Sequence, residues 1–158
     1  MESQKFSELG EREREQYNKG LERGGYEKIF NHCRYFYIRR RYSLIKEMMQ
    51  CAQGKKVLEI GSTAWRGWLD NNSILPSSLT CINISEAELQ AGVDSAASSD
   101  NSPDFILMDA HDLQFEDGTF DFVYGDAILH HLNMIPALDE IFRVLKPNGK
   151  ILFVEPLD

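Results

Sequence analysis

Short apolar runs alternate with segments of helical period from residue 55 onward. The runs predict five strands, at residues 57–60, 79–84, 105–108, 120–124 and 151–154. The segments between them predict helices at 65–71, 86–97 and 136–145, the last of which ends at the breaker "KPNG". Strands that alternate with helices form a parallel sheet covered on both faces. The pattern therefore predicts an α/β fold with a parallel sheet of about five strands.

Residues 1–54 have a different pattern and predict an N-terminal helical segment ahead of a core domain at 55–158. A charged stretch at 8–19 is followed by glycine breakers, and then by a run from 26 to 53 that contains neither glycine nor proline. In that run, apolar residues at helical spacing define one stripe: Ile29, Cys33, Phe36, Tyr37, Ile45, Met48 and Ala52.

Composition and charge narrow the function classes. The 158 residues carry 17 Lys and Arg against 25 Asp and Glu, a formal net charge of −8, which argues against a protein that binds nucleic acid over its whole surface. The N-terminus lacks the apolar core of a signal peptide and no run is long enough to cross a bilayer, so we expect no membrane partner. Three cysteines without a CxxC pair favour reduced thiols in a cytoplasmic protein.

Polar and small residues follow the predicted strands at their carboxyl ends, which is where parallel sheets bind ligands. The first two strands end at Glu59 and Gly61 and at Asn83 and Ile84. The next two are followed by further candidates, namely Asp109, Ala110, His111, Gly125 and Asp126, and then by the pair His130 and His131. We expect these side chains to meet at one edge of the sheet and to form the ligand site.

The loop after the first strand, "GSTAWRGW", carries Thr63 and Trp65 two and four residues after Gly61, where a glycine-rich loop would carry further glycines. A nicotinamide-dependent dehydrogenase needs the full GxGxxG at this place to approach a pyrophosphate. The sequence therefore disfavours a dehydrogenase, although the fold would be related.

Four motifs in order make the chain resemble the class I S-adenosylmethionine-dependent methyltransferases that act on small molecules. They are "VLEIGS", "LTCINIS", "DFILMDAHDLQFEDGTFDFVYGDAILHHL" and "EIFRVLKPNGKILFVEP". The resemblance implies a Rossmann-like fold, S-adenosyl-L-methionine as cofactor, and methyl transfer to an oxygen, nitrogen or carbon of a small-molecule metabolite. It also implies that the N-terminal helices form a lid over the cofactor, with Tyr17 and Tyr26 as candidate contacts.

The resemblance assigns cofactor-binding roles to the strand-end residues. Glu59 would hold the amino end of the cofactor, and Gly61 would let the backbone approach its methionine part. Asn83 would bind the ribose hydroxyls in place of the family's acidic residue, and Asp109 would accept from the adenine amino group. The remaining candidates on the cofactor side are Ser62, Thr63, Ile84, Ala110, His111, Gly125 and Asp126, of which Ser62 and Thr63 would replace contacts of the absent glycines.

The adjacent histidines are the candidates for a general base. His130 or His131 would accept a proton from the acceptor, and the alternative is that they cap or pack the following helix. Asp126 would orient a histidine or bind the methionine end of the cofactor. No metal site is expected, because the spacings of His32, Cys33, His111 and the adjacent pair fit no usual ligand pattern.

The C-terminal pattern departs from that of the family. Its members continue past the fifth strand with a helix and an antiparallel hairpin, whereas this sequence ends at "VEPLD". We therefore expect a core that lacks the usual hairpin because the chain or gene product is truncated. The alternatives are a fifth-strand edge that a partner chain or a second copy covers, and a degenerate relative of the family. The alternative to an active methyltransferase is a truncated or degenerate binding module or subunit of the same fold.

Overall fold

The computed structural model describes residues 39–156. Several predictions, namely the charged stretch at 8–19, the lid contacts Tyr17 and Tyr26, and the pair His32 and Cys33, lie outside the described residues. The chain divides into two units, Met1–Ser43 and Leu44–Asp158. Residues 39–43 of the first unit are helical, and the strands of the described chain all belong to the second unit.

Four α-helices are described. They are α1, which includes residues 39–49, and then α2 (Trp65–Trp68), α3 (Glu86–Ala96) and α4 (Met134–Val144), with 3-10 turns at Gln50–Ala52, Asp70–Asn72 and Leu129–His131. Ser85 caps α3, because its hydroxyl accepts a hydrogen bond from the Glu88 amide at 3.3 Å. Helix α4 begins two residues before Pro136, and the first turn of a helix tolerates a residue without an N–H.

Five parallel strands form one sheet and confirm the predicted fold class. They are β1 (Lys56–Ile60), β2 (Ser78–Asn83), β3 (Asp104–Leu107), β4 (Phe120–Asp126) and β5 (Leu145–Val154), in the spatial order β3-β2-β1-β4-β5. The order reverses between β1 and β4, and in such a sheet the crevice for a ligand opens above the carboxyl ends of the strands at this point.

The central strand β1 is buried on both faces. Val57 joins a core cluster with Met49 and Trp65 on one face, and Leu58 joins a second cluster with Ile141 of α4 on the other. Successive side chains of a strand point to opposite faces, so a continuous apolar run supplies both clusters. Ile45 and Ala52, which precede β1 in the chain, are also buried in the cluster that contains Val57.

One residue of the predicted N-terminal stripe lies on the wrong side of α1. Met48 is half exposed, whereas Met49 is buried in the core. Residue 49 lies four positions after Ile45 and therefore shares its face of the helix, while residue 48 lies three positions after it at the margin of that face.

The boundary between α4 and β5 was predicted wrongly. The helix ends at Val144, and Leu145 is already extended (φ −81°, ψ 134°) and pairs with Phe120, so "KPNG" lies within β5 instead of ending the helix. The ladder is irregular there and resumes at Lys150 opposite Phe122, with Asn148 in the left-handed region (φ 65°). Pairing with β4 thus extends the strand, which local turn residues do not reveal.

Candidate functional site

A cleft with a volume of about 130 Å³ opens at the carboxyl ends of β1, β2 and β3. Its walls are mostly apolar and are formed by Ile60, Gly61, Ile82, Asn83, Ile84, Met108, Asp109, Ala110, His111, Ile128, His131 and Leu132. The cleft is therefore an apolar pocket with a few polar groups at its edge.

Seven of the predicted site residues line this cleft: Gly61, Asn83, Ile84, Asp109, Ala110, His111 and His131. Six others lie outside its lining, namely Glu59, Ser62, Thr63, Gly125, Asp126 and His130. The sequence analysis did not single out five apolar members, which are Ile60, Ile82, Met108, Ile128 and Leu132. The sequence could have identified the first three, because Ile60 and Ile82 are the last apolar residues of their strands and Met108 directly follows β3.

Glu59 is fully buried beneath the first loop and does not reach the cleft surface. Its Oε1 accepts a hydrogen bond from the Ala64 amide at 3.0 Å, and its Oε2 accepts one from the Tyr124 hydroxyl. Burial raises the pKa of Glu59 to about 7, against the lowering effect of the Tyr124 hydroxyl and of the amides of Ala64, Trp65 and Thr63. The carboxyl group therefore acts as an internal acceptor for the loop.

The loop turns at Gly61, whose φ of +120° is a conformation that side chains rarely adopt. Ser62 is buried, and its carbonyl accepts a hydrogen bond from the Trp65 indole N–H at 3.2 Å. Trp65 is fully buried and packs edge-on against Phe105, with ring centroids 6.4 Å apart. The indole at a glycine position of the motif thus anchors the loop in the core and leaves the cleft open, while Thr63 is exposed.

Asn83 ends β2 at the rim of the cleft and fixes two neighbouring segments. Its amide nitrogen donates to the Ser62 hydroxyl at 3.1 Å, and its carbonyl oxygen accepts from the Ser85 amide at 3.0 Å. A side-chain amide has two N–H donors and two acceptor lone pairs, so one of each is left for a ligand. The exposed Ile84 follows directly and covers one wall.

Asp109 and His111 form a connected pair at the end of β3. One oxygen of Asp109, Oδ1, accepts from the His111 amide at 2.9 Å and from His111 Nδ1 at 2.6 Å, and these bonds lower the pKa of Asp109. The other imidazole nitrogen, Nε2, accepts from the Asn133 amide at 3.0 Å. This assigns the proton to Nδ1 and directs the imidazole toward the start of α4. Ala110 lies buried between them.

Gly125 and Asp126 support the site from β4 without lining it. A side chain at Gly125 would meet the Ile60 carbonyl oxygen at 3.0 Å and the Ile128 side chain at 2.6 Å. Gly125 therefore allows Ile128 to pack over the strand and reach the cleft. Asp126 accepts a hydrogen bond from the Trp68 indole N–H at 2.7 Å, so its carboxylate holds α2 against the sheet.

The two adjacent histidines have different surroundings. His130 Nδ1 lies 2.6 Å from Glu155 Oε2, and the other oxygen of Glu155 accepts from the amides of Ile128 and Leu129. Burial raises the pKa of Glu155 and these hydrogen bonds lower it, with a net lowering. His131 lines the cleft, and the two imidazole centroids are 4.0 Å apart. Of the pair, His131 is the one that lines the cleft.

Within residues 39–156, no group of three or more His, Cys, Asp or Glu side chains is arranged to hold a metal ion. In the same described range, no helix is long and apolar enough to cross a membrane.

A family model described as a methyltransferase domain matches residues 58–153, more than half of the chain. The chain belongs to this family. The match runs from within β1 to within β5 and includes every cleft residue. It confirms the class I S-adenosylmethionine-dependent methyltransferase family that the motifs indicated, and this family implies S-adenosylmethionine or S-adenosylhomocysteine as the cofactor.

Two curated relatives act on small molecules, according to their names. The demethylmenaquinone methyltransferase of Staphylococcus epidermidis is 30% identical over 114 residues, which are 70% of this chain and 47% of the relative. The glycine/sarcosine/dimethylglycine N-methyltransferase of Actinopolyspora halophila is 33% identical over 82 residues, which are 50% of this chain and 14% of that protein. The chain therefore spans less than half the length of either relative.

Solved structures share the fold. The PH0226 protein of Pyrococcus horikoshii OT3 superimposes with a TM-score of 0.59 at 27% identity, over 73% of this chain and 57% of that one. The 4+2 cyclase SpnF superimposes with a TM-score of 0.61 at 26% identity, over 73% of this chain and 44% of that one. These matches confirm the Rossmann-like sheet with helices on both faces.

Proposed function

We propose that this chain binds S-adenosylmethionine in the cleft above β1, β2 and β3 and transfers its methyl group to an oxygen, nitrogen or carbon of a small-molecule metabolite. The observation that carries the proposal is the cleft itself. The family's motif positions after three strands, Gly61, Asn83 and Asp109, converge on one mostly apolar pocket.

The residues of the cleft fit an adenosyl group. Ile84 and Met108 offer apolar walls for a flat base, and Asp109 keeps Oδ2 for a donor because Oδ1 serves His111. Asn83 retains one donor and one acceptor for ribose hydroxyls. Gly61 has no Cβ, so the backbone can approach the methionine part closely.

The chemistry resides in the cofactor, whose sulfonium supplies the methyl group when it is bound. The contribution of the protein is to position the two reactants and exclude water from them. Where the acceptor must lose a proton, His131 is the base we propose, since it faces the cleft and imidazole accepts protons near neutral pH. His130, tied to Glu155, would fix the turn that carries His131.

Isothermal titration with S-adenosylhomocysteine tests the cofactor part of this proposal. We expect saturable binding that Asp109→Ala weakens roughly tenfold, because an acceptor for the base is lost. Asp112→Ala is the matched control: Asp112 lies in the same segment, bonds to Gln114, and does not line the cleft. Folded protein that gives no heat with this compound would contradict the proposal.

A panel of acceptors tests the transfer. The names of the two curated relatives provide the first probes, which are demethylmenaquinone, glycine, sarcosine and dimethylglycine. Transfer of a radiolabelled methyl group to one of them is the expected result, and it should fall by up to about tenfold in the Asp109→Ala variant at subsaturating S-adenosylmethionine.

The second candidate is a binding module of this fold without methyl transfer. It is favoured by the internal hydrogen bonds of Asn83 and Asp109, and by the likeness to SpnF, which is named a cyclase. Cofactor binding without transfer to a broad acceptor panel would favour this candidate.

A further inference from the structure

A buried carboxyl and a buried hydroxyl lie side by side under the first loop. Glu59 on β1 and Tyr124 on β4 are direct register partners, and both are almost completely inaccessible to solvent. Their hydrogen bond joins Tyr124 Oη to Glu59 Oε2, while Oε1 of the same carboxyl faces the loop. Neither residue lines the cleft, so the contacts proposed between the cleft and an adenosyl group do not involve this pair.

The carboxyl group organises the loop by gathering its amides. Ala64 donates to Oε1 at 3.0 Å, and the amides of Thr63 and Trp65 also point to the carboxyl. An ionised carboxylate forms hydrogen bonds roughly twice as strong as those of a neutral acid. The path of the loop from Gly61, which lines the cleft, to Trp65 therefore depends on the charge of Glu59.

We propose that Tyr124 is a positioning residue for the cofactor loop: it orients Glu59 and favours its ionised form, and Glu59 in turn holds residues 63–65. The link to affinity rests on the proposed function, because it assumes that the cleft binds the cofactor. The link from Tyr124 to loop order does not.

The surroundings of the pair set the direction of its response to pH. Cys81 on β2 is the register partner of Glu59 on its other side, and Asp104 and Asp126 add negative charge near Cys81 and Tyr124 respectively. Burial raises the pKa of Glu59 to about 7, and burial together with the charges of Glu59, Cys81 and Asp126 raises the pKa of Tyr124 well above its usual range. Loop order and cofactor affinity should therefore weaken as pH falls through about 7.

The Tyr124→Phe substitution removes the hydroxyl and keeps the ring. Without this donor the proton on Glu59 is held more tightly, so we expect the pH midpoint for binding of S-adenosylhomocysteine to rise by roughly one unit. Hydrogen exchange measured on the ligand-free protein should show the amides of residues 63–65 losing roughly tenfold in protection at pH 7. An unchanged midpoint together with unchanged protection would overturn the proposal.

Two further variants separate positioning from general stability. Glu59→Gln cannot ionise, so the loop protection factors should lose their pH dependence even if Tyr124→Phe does not fold. Val123→Ala removes buried volume from the opposite face of β4. It should lower the melting temperature without moving the pH midpoint or the loop protection. A protein that shows the exchange effects but binds no S-adenosylhomocysteine would refute the proposed function and leave the positioning role supported.

Discussion

Asn83 uses half of its hydrogen-bonding capacity inside the protein, on Ser62 and Ser85. An amide in this place must divide its remaining donor and acceptor between two ribose hydroxyls. A carboxylate would accept from the Ser62 hydroxyl and the Ser85 amide and keep lone pairs for both ribose groups.

We therefore expect Asn83→Asp to bind S-adenosylhomocysteine about three- to tenfold more tightly, because charge-assisted hydrogen bonds replace neutral ones. Isothermal titration measures the change. Asn71→Asp adds the same charge at an exposed position outside the cleft and should leave affinity unaltered. Weaker binding by Asn83→Asp would show that the neutral amide is required here.

The two histidines are distinguished by substitution with asparagine. We expect His131→Asn to lower kcat roughly 10²-fold for an acceptor that must lose a proton, with cofactor affinity retained. His130→Asn should cost less than about tenfold, since its imidazole is held by Glu155 outside the cleft lining. Single-turnover methyl transfer measures both, and equal losses would argue against His131 as the base.

Helix α3 depends on one glycine for its contact with the first loop. A Cβ at Gly92 would lie 2.6 Å from the Ser62 carbonyl oxygen and 2.5 Å from the Phe105 ring. The backbone of the loop cannot yield as a flexible side chain can, so the close approach of helix and loop requires the absence of a side chain.

Gly92→Ala should therefore destabilise the protein by about 1–2 kcal/mol, because overpacking outweighs the gain in helix propensity. Gly67→Ala, in α2, is the matched control: a Cβ there meets nothing within 4 Å. That variant should be neutral or stabilising. Urea unfolding measures both free energies, and equal effects would mean that the loop moves aside without cost.

For the helices and strands, the sequence predicted which elements form better than it predicted where they end. Each of the five strands and the helices α3 and α4 lie where the apolar pattern put them, within a few residues at most ends. The exception is β5, whose start depends on the pairing of Leu145 with Phe120, 25 residues away in sequence. Such pairing is decided by a neighbouring strand, which a local window of sequence does not contain.

At the scale of the whole molecule, the buried carboxyl group of Glu59 opposes stability at neutral pH. The pKa of Glu59 is raised by burial from an ordinary 4.5 to about 7. Between these values the folded protein keeps a proton that the unfolded chain has released. The stability contributed by the neutral form is therefore complete below about pH 4.5 and is lost as pH rises to about 7.

We expect the unfolding free energy of the wild type, relative to that of Glu59→Gln, to fall by about 3 kcal/mol between pH 4.5 and 8. Denaturant unfolding at a series of pH values measures it. Glu140 provides a comparison, because its hydrogen bonds with Arg143 lower its pKa. The unfolding free energy of the wild type relative to that of Glu140→Gln should therefore change only at acid pH, where it should fall as the pH falls. A flat difference for Glu59→Gln would contradict the burial of this charge.

Association with another chain at the edge of β5 is a question about the whole molecule. In the part of the chain that the structure describes, β5 pairs with β4 on one side only. The expected cover by a second copy or a partner chain remains a prediction, and light scattering on the purified chain tests it.

The sequence by itself determined the parallel sheet, the family and most of the cleft. Continuous apolar runs can only be buried on both faces, and residues at the carboxyl ends of neighbouring parallel strands must meet at one edge. That reasoning placed Gly61, Asn83, Asp109 and His131 correctly around a pocket.

Tertiary structure alone decided which polar groups face the ligand and which serve the protein. Tyr124 lies 65 residues from Glu59 along the chain and reaches it only because β4 pairs with β1. Trp65 leaves the cleft open only because the core on that face of the sheet has room for its indole. Burial and lateral strand contacts are properties of the assembled sheet, and they place the carboxyl of Glu59, a predicted cofactor ligand, where it accepts the Ala64 amide.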